Sequence, residues 1–324
     1  MFGKRPDGVR VKANDMIEQI GPHFMPMRCD AMNFITHPVR CEDMDNWIKE
    51  KSEKEGIRFN YMHIVMAAIV RLIAERPVLN RFIMRGALYQ RKRISISITI
   101  KKELKDDGES ATLKVFFTGR ETIYEVKEKI DKAIADNTTS VGGTQGFADK
   151  AGLLPNFLCR WAINTLNFLD RRGLLPGWLI DAASPFHTTC YVTYLKSVKT
   201  DAIYHHVYNF GTTGIFVAIG KEKYAPVCEY EELKVGKVMN LGITMDERFT
   251  DGFYFAKSLR VLDAKFHNLQ ELEVPYDITD PILLKTEAKD NKKAKKRQKK
   301  VERKIKKATK KAAKKAAKQQ KMAA

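Results

Sequence analysis

The 324-residue chain predicts an α/β fold on three observations. Ile94, Ile96, Ile98 and Ile100 alternate with Ser95, Ser97 and Thr99, a strict period of two that marks a strand with one polar face. Ile123, Val126, Ile130 and Ile134 follow at spacings of three and four, the stripe of an amphipathic helix. Near the far end, Leu241, Ile243 and Met245 alternate as a strand, break at the polar turn 246–252, and resume as a helix. That helix carries Phe253, Ala256, Leu259, Leu262 and Phe266 on its apolar face. Strands and helices interleaved in this way belong to one packed α/β body. A hydrophobic fraction of 44% is enough to fill its core.

The remaining elements fall between these. Residues 29–40 read as a strand pair or one bent strand. Asp43 is placed to cap a helix over 44–54, with Trp47 as its apolar anchor. Asn60 caps a second helix whose Ile64, Val65, Ala67, Ala68, Ile69, Leu72 and Ile73 leave only a narrow polar face; Arg76-Pro77 ends it. His63 on that helix reads as a histidine at the edge of the core. Asp106-Asp107-Gly108 turns the 94–100 strand into a return strand over 112–118. Residues 138–146, TTSVGGTQG, form a flexible link. Phe157, Leu158, Trp161, Ala162, Leu166, Phe168 and Leu169 then make an apolar stripe, with a second patch over 174–180. Extra helices packed on the core are its default reading. The wall of an acyl-chain tunnel and a membrane-surface anchor are the alternatives. Arg160, Asp170, Arg171 and Arg172 interrupt the stripe, and no run of 18 apolar residues exists, so no transmembrane helix is expected.

Charge separates the chain into two objects. The net charge is +19, but residues 285–324 hold 19 Lys and Arg against 3 acids, leaving +3 for the rest. The expected division is a body over 1–284, with an insertion at about 140–185, and a Lys/Ala-rich basic tail over 285–324. Lys and Ala favour helix, but like charges at i, i+4 oppose it. The tail is therefore expected to be disordered when free and helical on a polyanion such as nucleic acid. The five cysteines form no CxxC pair, which argues against a structural zinc site or a disulfide scaffold and suits a reducing, cytoplasmic compartment. The N-terminus has no apolar stretch behind its charges, so no signal peptide is expected.

Chemistry is expected at the turn ITMDERFTDGF (243–253), where a loop at a strand end can aim several side chains at one point. Asp246, Arg248, Asp251 and Gly252 resemble the Asp-His-Arg-x-x-Asp-Gly motif of dihydrolipoamide acyltransferase catalytic domains. The wider pattern, His-x-x-x-Asp-Gly, is that of the chloramphenicol acetyltransferases. The passage 59–83, FNYMHIVMAAIVRLIAERPVLNRFI, resembles the helix-then-HPELN passage of the same superfamily. CYVTYLKSV resembles its strand that ends in Ser or Thr, GIFVAIG its ILGIG strand, and Pro22-His23-Phe24 the segment that enters its first strand. The resemblance covers most of residues 20–275 apart from the insertion. It implies a chloramphenicol acetyltransferase-like fold, a mixed β-sheet covered by helices. It also implies a homotrimer with sites between subunits, and acyl transfer from a coenzyme A thioester to a thiol or hydroxyl acceptor.

Site roles follow from the same resemblance. The family His takes the acceptor's proton; here Glu247 stands in its place. Thr193 matches the hydroxyl that steadies the oxyanion, an interaction worth about 3–4 kcal/mol. Asp251 matches the structural Asp, with Arg248 as its nearest candidate partner. A carboxylate near pKa 4.3 facing a thiol near 8.5 meets a gap of about 4 units, roughly 6 kcal/mol against proton transfer. Burial of Glu247 would narrow that gap. Three readings stay open: Glu247 as a retuned base, His205 or His206 serving instead, and an inactive site on a fold used for binding or assembly. Asp149-Lys150-Ala151 has the letters of a lipoyl-attachment triplet, but its Gly-rich and helical flanks do not suit an all-β lipoyl domain, so no lipoyl attachment is expected. No metal is called for.

Overall fold

The computed structural model describes residues 5–101, 110–139, 155–229 and 231–323. Asp106-Asp107-Gly108, the link from residue 140 onward and Asp149-Lys150-Ala151 lie outside the described residues.

Among the described residues ten strands form two sheets. β1 (Gly8–Arg10), β3 (Arg81–Met84) and β4 (Ala87–Arg91) make a small antiparallel sheet in the order β1-β4-β3. Arg85 and Gly86 both take positive φ between β3 and β4, as a two-residue hairpin turn of this hand requires. The main sheet contains β2 (Met32–Arg40), β5 (Ile94–Lys101), β6 (Ser110–Phe117), β7 (Cys190–Tyr194), β8 (Ile215–Ile219) and β10 (Glu232–Asp246). Its order is β2-β10-β8-β7-β5-β6, with β9 (Lys223–Glu229) paired to the outer half of β10. The sheet is mixed: β5–β7 and β7–β8 are parallel, and the other pairs are antiparallel.

The two faces of the main sheet differ as the alternation predicts. Ile94, Ile96, Ile98, Val192, Val217 and Ile243 point to one side and are buried. Helices α3 (Tyr61–Glu75), α4 (Ile123–Thr139) and α7 (Gly252–His267) cover that side; α3 packs on β5, α4 on β6 and α7 on β2. The other side carries Ser97, Thr99, Thr112, Tyr191, Thr193 and Phe216, with the Tyr191 hydroxyl within hydrogen-bond distance of Thr99 Oγ1 (2.8 Å) and Thr112 Oγ1 (3.1 Å).

Helix ends show where local chemistry decided and where it did not. Asn60 caps α3 as expected: its side chain accepts from His63 N, and the His63 ring reaches back to the Asn60 amide. The helix anchored by Trp47, α2 (Glu42–Glu55), starts one turn-step early, on Cys41, without a side-chain cap. Asp43 is then the second residue of the helix, and its carboxylate meets His267 instead. Residues 29–40 are a 3₁₀ turn, Cys29–Ala31, and one strand rather than a strand pair. Pro22-His23-Phe24 does not enter a strand; it closes α1 (Met16–Phe24), where Asp15 caps the first turn.

The described part of the insertion, from residue 155 on, folds as α5 (Asn156–Arg171) and α6 (Gly177–Ala183). Leu175 and Ile180 are buried, and polar ties add to them. Arg5 pairs with Asp7 and with Asp170, and Asp170 lies 3.0 Å from His187. Ser184 Oγ in turn meets His187 Nδ1 at 2.6 Å. Packing on the core, the default reading, thus holds for one face of α5 and for Leu175 and Ile180; Phe157, Trp161 and Phe168 on the other face of α5 stand in solvent.

The body is one compact unit through Asp280, and α8 (Pro281–Ala323) is a second. Residues 281–323 take helical backbone, as Lys and Ala propensity favours. The described side chains from 291 onward are exposed and gain nothing from burial, and their like charges repel at i, i+4, which agrees with the expectation of a tail disordered when free.

His63 gives the fold a titratable weak point. Its ring is buried, and burial lowers its proton affinity, with Asp131 pulling the other way. In the unfolded chain a histidine titrates near pH 6.5. The unfolded state therefore gains a proton that the fold resists, and stability is lost as pH falls through about 6.5. His63→Gln keeps a side chain able to close the capping box. Urea unfolding from pH 7.5 to 5 is expected to show a shallower loss of stability in this variant than in the parent.

Candidate active site

The strand–turn–helix at 241–267 is held from below by a buried ion triad. β10 ends at Asp246, a 3₁₀ turn runs Glu247–Phe249, and α7 begins at Gly252. Asp246 is fully buried. Its two oxygens accept from Arg248 Nε (2.7 Å) and Nη2 (2.7 Å), a bidentate pair, and Oδ2 also accepts from Arg28 Nε (3.3 Å). Two guanidinium groups on one carboxylate leave a net positive charge to place. The spare donors go to backbone carbonyls: Arg248 Nη1 to Met25 O (3.0 Å) and Arg28 Nη1 to Tyr208 O (2.6 Å). Burial lowers the Arg28 guanidinium's proton affinity, which Asp246 opposes. Asn209 Oδ1 accepts from the amides of Arg28 and Cys29, completing the knot between 25–29, 208–209 and the turn.

Phe249 locks the turn from the apolar side. It is fully buried, and a Cβ at Gly214 would come within 2.6 Å of its ring, so only glycine lets β8 start beneath it. The Asp246 amide donates to Gly214 O (2.9 Å) at the same point. Glu247, the residue between these anchors, is left exposed at the tip, where Asn33 Nδ2 donates to its Oε2 (2.7 Å).

Asp251 sits at the N-cap of α7 and accepts from Tyr254 N (2.7 Å). The partnership expected between Asp251 and Arg248 is not formed, because Arg248 is spent on Asp246. Asp251 holds the turn by capping the start of the helix rather than by an ion pair. Arg28 and Asn33 are participants that the residue pattern did not reveal. They lie more than 200 positions away in the chain, and nothing in their own spacing points to the turn.

Thr193 lies elsewhere. It is half-buried on the open face of the sheet, opposite Thr99 and Ala218. Ala218 in turn pairs with Gly242, five residues before Glu247 on β10. At about 3.3 Å per residue and 4.8 Å per strand, Glu247 is roughly 16 Å along and 10 Å across from Thr193. Groups that act on one carbonyl must stand about 3 Å from it. Thr193 and Glu247 of one chain therefore cannot share a reaction centre.

His205 and His206 sit on the segment 199–214 that crosses the open sheet face. Gly242 permits that crossing: a Cβ there would meet Ile203 O at 2.6 Å. The His205 ring stacks on Phe216 (4.3 Å), which stacks on Tyr191 (4.9 Å), two residues before Thr193. Burial lowers the proton affinity of His205, then the neighbouring His206 lowers it further, so the ring favours its neutral form. Its Nε2 is buried with no hydrogen-bond partner among the described residues. His206 is exposed and lies edge-on to Tyr208. The structure thus brings His205, not Glu247, into Thr193's neighbourhood. Among the described residues no group of three or more His, Cys, Asp or Glu could hold a metal ion, and no helix is long and apolar enough to cross a membrane.

No protein-family model and no curated protein match the chain. Solved structures do. A probable dihydrolipoamide acetyltransferase from Listeria monocytogenes 4b F2365 superposes with a TM-score of 0.51 at 14% identity, covering 80% of this chain and 94% of that one. The cubic core of the pyruvate dehydrogenase multienzyme complex gives 0.51 at 12%, covering 82% and 94%. The dihydrolipoamide acetyltransferase of Azotobacter vinelandii gives 0.51 at 13%, with the same coverage. At such identity the likeness establishes the fold: the body has the acyltransferase architecture of these catalytic cores.

The buried triad makes a sharp prediction. Asp246→Asn leaves two guanidinium groups buried with no carboxylate, and breaking such a cluster costs about 3–5 kcal/mol. The variant is expected to show a large drop in the urea midpoint, whereas Asp251→Ala, an exposed cap, is expected to lose only about 1 kcal/mol.

Proposed function

We propose that the protein is a thioester-dependent acyltransferase whose site is completed between subunits, with Glu247 of one copy facing Thr193 of the next. The observation that carries this reading is the separation of the two residues within one chain, on the fold of a dihydrolipoamide acetyltransferase core. The Azotobacter protein's mechanism has been examined through a serine, a histidine and an asparagine, the last two four positions apart. Glu247 and Asp251 keep that step. Coenzyme A is the proposed acyl carrier and a homotrimer the proposed assembly.

The reaction needs little from each residue. The acceptor's thiol or hydroxyl proton passes to the Glu247 carboxylate as its sulfur or oxygen attacks the thioester carbon. Thr193 donates a hydrogen bond to the oxyanion, which collapses and breaks the carbon–sulfur bond. The departing coenzyme A thiolate takes the proton back from Glu247. A carboxylate does this best when water is excluded from it. Glu247 is exposed in the single chain, so the neighbouring subunit must supply the cover. Asn33 fixes the carboxylate's direction at the tip of the turn.

A second reading uses His205 as the base. It rests on the ring's place beside Phe216 and on its unpartnered Nε2. On this reading base and oxyanion donor come from one chain, and Glu247 is dispensable. The non-catalytic alternative keeps the fold for binding, with the basic tail over 285–324 as the contact to nucleic acid or another polyanion.

One experiment separates the catalytic readings. Glu247→Gln and Thr193→Ala are each expected to lower acyl transfer by about two orders of magnitude or more. Co-expressed in equal amounts, the two variants assemble some interfaces that pair an intact Glu247 with an intact Thr193. In a cyclic oligomer random mixing restores about a quarter of the wild-type activity. Full activity in Glu247→Gln, with loss in His205→Ala, assigns the base to His205. Acyl transfer unaffected by any of these changes removes the site from this turn altogether.

The tail is tested by salt. Removal of residues 285–324 is expected to abolish binding to DNA or RNA, and binding by the whole chain is expected to fall steeply as salt rises, through counterion release. Equal binding by the truncated chain with the same salt slope would move the contact to the body.

A further inference from the structure

The segment 155–183 takes no part in the proposed reaction, yet its surface is unlike that of a solvated insertion. Along α5 the two faces differ. Cys159, Ala162, Leu166, Leu169 and Asp170 fall on one side of the helix and are buried or half-buried. Phe157, Trp161 and Phe168 recur on the opposite side at steps of four and seven, a single stripe in a 3.6-residue helix. They are 70%, 68% and 52% exposed. Leu174 and Trp178, in the turn after α5 and at the start of α6, are 60% and 70% exposed.

The charges of the segment are arranged around that stripe. Helical spacing puts Arg160 and Arg171 along one edge and Arg172 along the other. Arg172 folds over the Phe168 ring, its guanidinium carbon 3.4 Å from the centroid. The segment's two acids are already engaged: Asp170 with Arg5 and His187 inside the body, Asp181 with Arg93. None of the three arginines has a carboxylate within ion-pair distance among the described residues. The exposed surface is thus aromatic in the middle and cationic at its rims, with its acids withdrawn.

We propose that this face docks on an anionic phospholipid surface. Tryptophan and phenylalanine favour the boundary between headgroups and acyl chains, where a ring is half wetted. Arginines at the edges of the stripe can bury their stems and keep their guanidinium groups at phosphate level. A helix of this kind lies in the interface plane, and its affinity grows with buried apolar area and with attraction to anionic lipid. The rest of the chain outside 285–324 carries only +3, so the attraction of this face rests on its own three arginines. A second copy of the chain is the poorer fit, because pairing this patch with itself sets arginine against arginine with no acid to answer.

Tryptophan emission reads the docking directly. The chain has three tryptophans. Trp47 is 3% exposed and serves as an internal constant, while Trp161 and Trp178 report from the patch. Full-length protein mixed with vesicles of phosphatidylcholine and phosphatidylserine is expected to shift its emission to the blue. Lipid brominated in the acyl chains is expected to quench it. Vesicles of phosphatidylcholine alone are expected to bind less. Combined Phe157→Ser, Trp161→Ser and Phe168→Ser is expected to weaken partitioning by about tenfold or more without moving the unfolding midpoint, since all three side chains are exposed. Vesicle sedimentation without quenching would mean that the lysine-rich tail adheres while the patch stays in water, and would overturn the proposal. So would a lipid-free oligomer that falls apart in the triple variant, which would make the stripe a contact between copies.

Discussion

Asp246 and the two arginines that share it, Arg28 and Arg248, are the constraint on which the site depends. A carboxylate at the end of a central strand, with no solvent access, must be answered by charge. The answer comes from one arginine two residues on and another 218 residues back. Their spare donors then pull in the backbone at Met25 and Tyr208. A loop that would otherwise be free at the sheet end is thereby tied to two separate stretches of chain, 25–29 and 208–209. A buried cluster of this sort is poor evidence for stability as such; its effect here is to give one turn one conformation.

Glu247 follows from that geometry. With Asp246 and Arg248 turned inward and Phe249 locked over Gly214, the residue between them has only the outward direction left. Asn33 on the neighbouring edge strand meets it there. The same sheet that presents Glu247 at one end keeps Thr193 on its open face, far along the strands. A chemistry that needs both must draw on two copies, whereas a chemistry built on His205 and Thr193 needs only one. The architecture therefore turns a question about a residue replacement into a question about assembly.

The open face of the main sheet is the second organising feature. One side is sealed by α3, α4 and α7. The other carries hydroxyls and the His205–Phe216–Tyr191 stack beneath a crossing segment that two glycines, Gly220 and Gly242, allow to approach. Among the described residues, buried Thr244 Oγ1 and His205 Nε2 have no hydrogen-bond partners on this side. A face with hydroxyl groups and unspent hydrogen-bonding capacity is suited to hold a polar molecule.

Much of this was determined by the residues alone. The alternation at 94–100 could only be a strand with one wet face, and the register of β5 against β6 and β7 agrees. Asn60, with His63 three residues on, could cap a helix through local bonds, and does. The motif at 246–252 marked the turn. These are features whose physics is contained in a few neighbouring positions. What the tertiary structure decided involves partners far apart in the chain. Arg248 belongs to Asp246 and not to Asp251 because Arg28 closes the triad from another part of the molecule. Asp43 lost its cap to Cys41 because α2 begins where β2 ends, at a strand–strand register no local rule contains. The distance from Glu247 to Thr193 is set by strand order and register together: only β8 separates their strands, but the pairing leaves Glu247 five residues beyond the position opposite Thr193. Neither quantity is contained in a few neighbouring residues, which is why the letters of the motif could mark the turn but not its distance from Thr193.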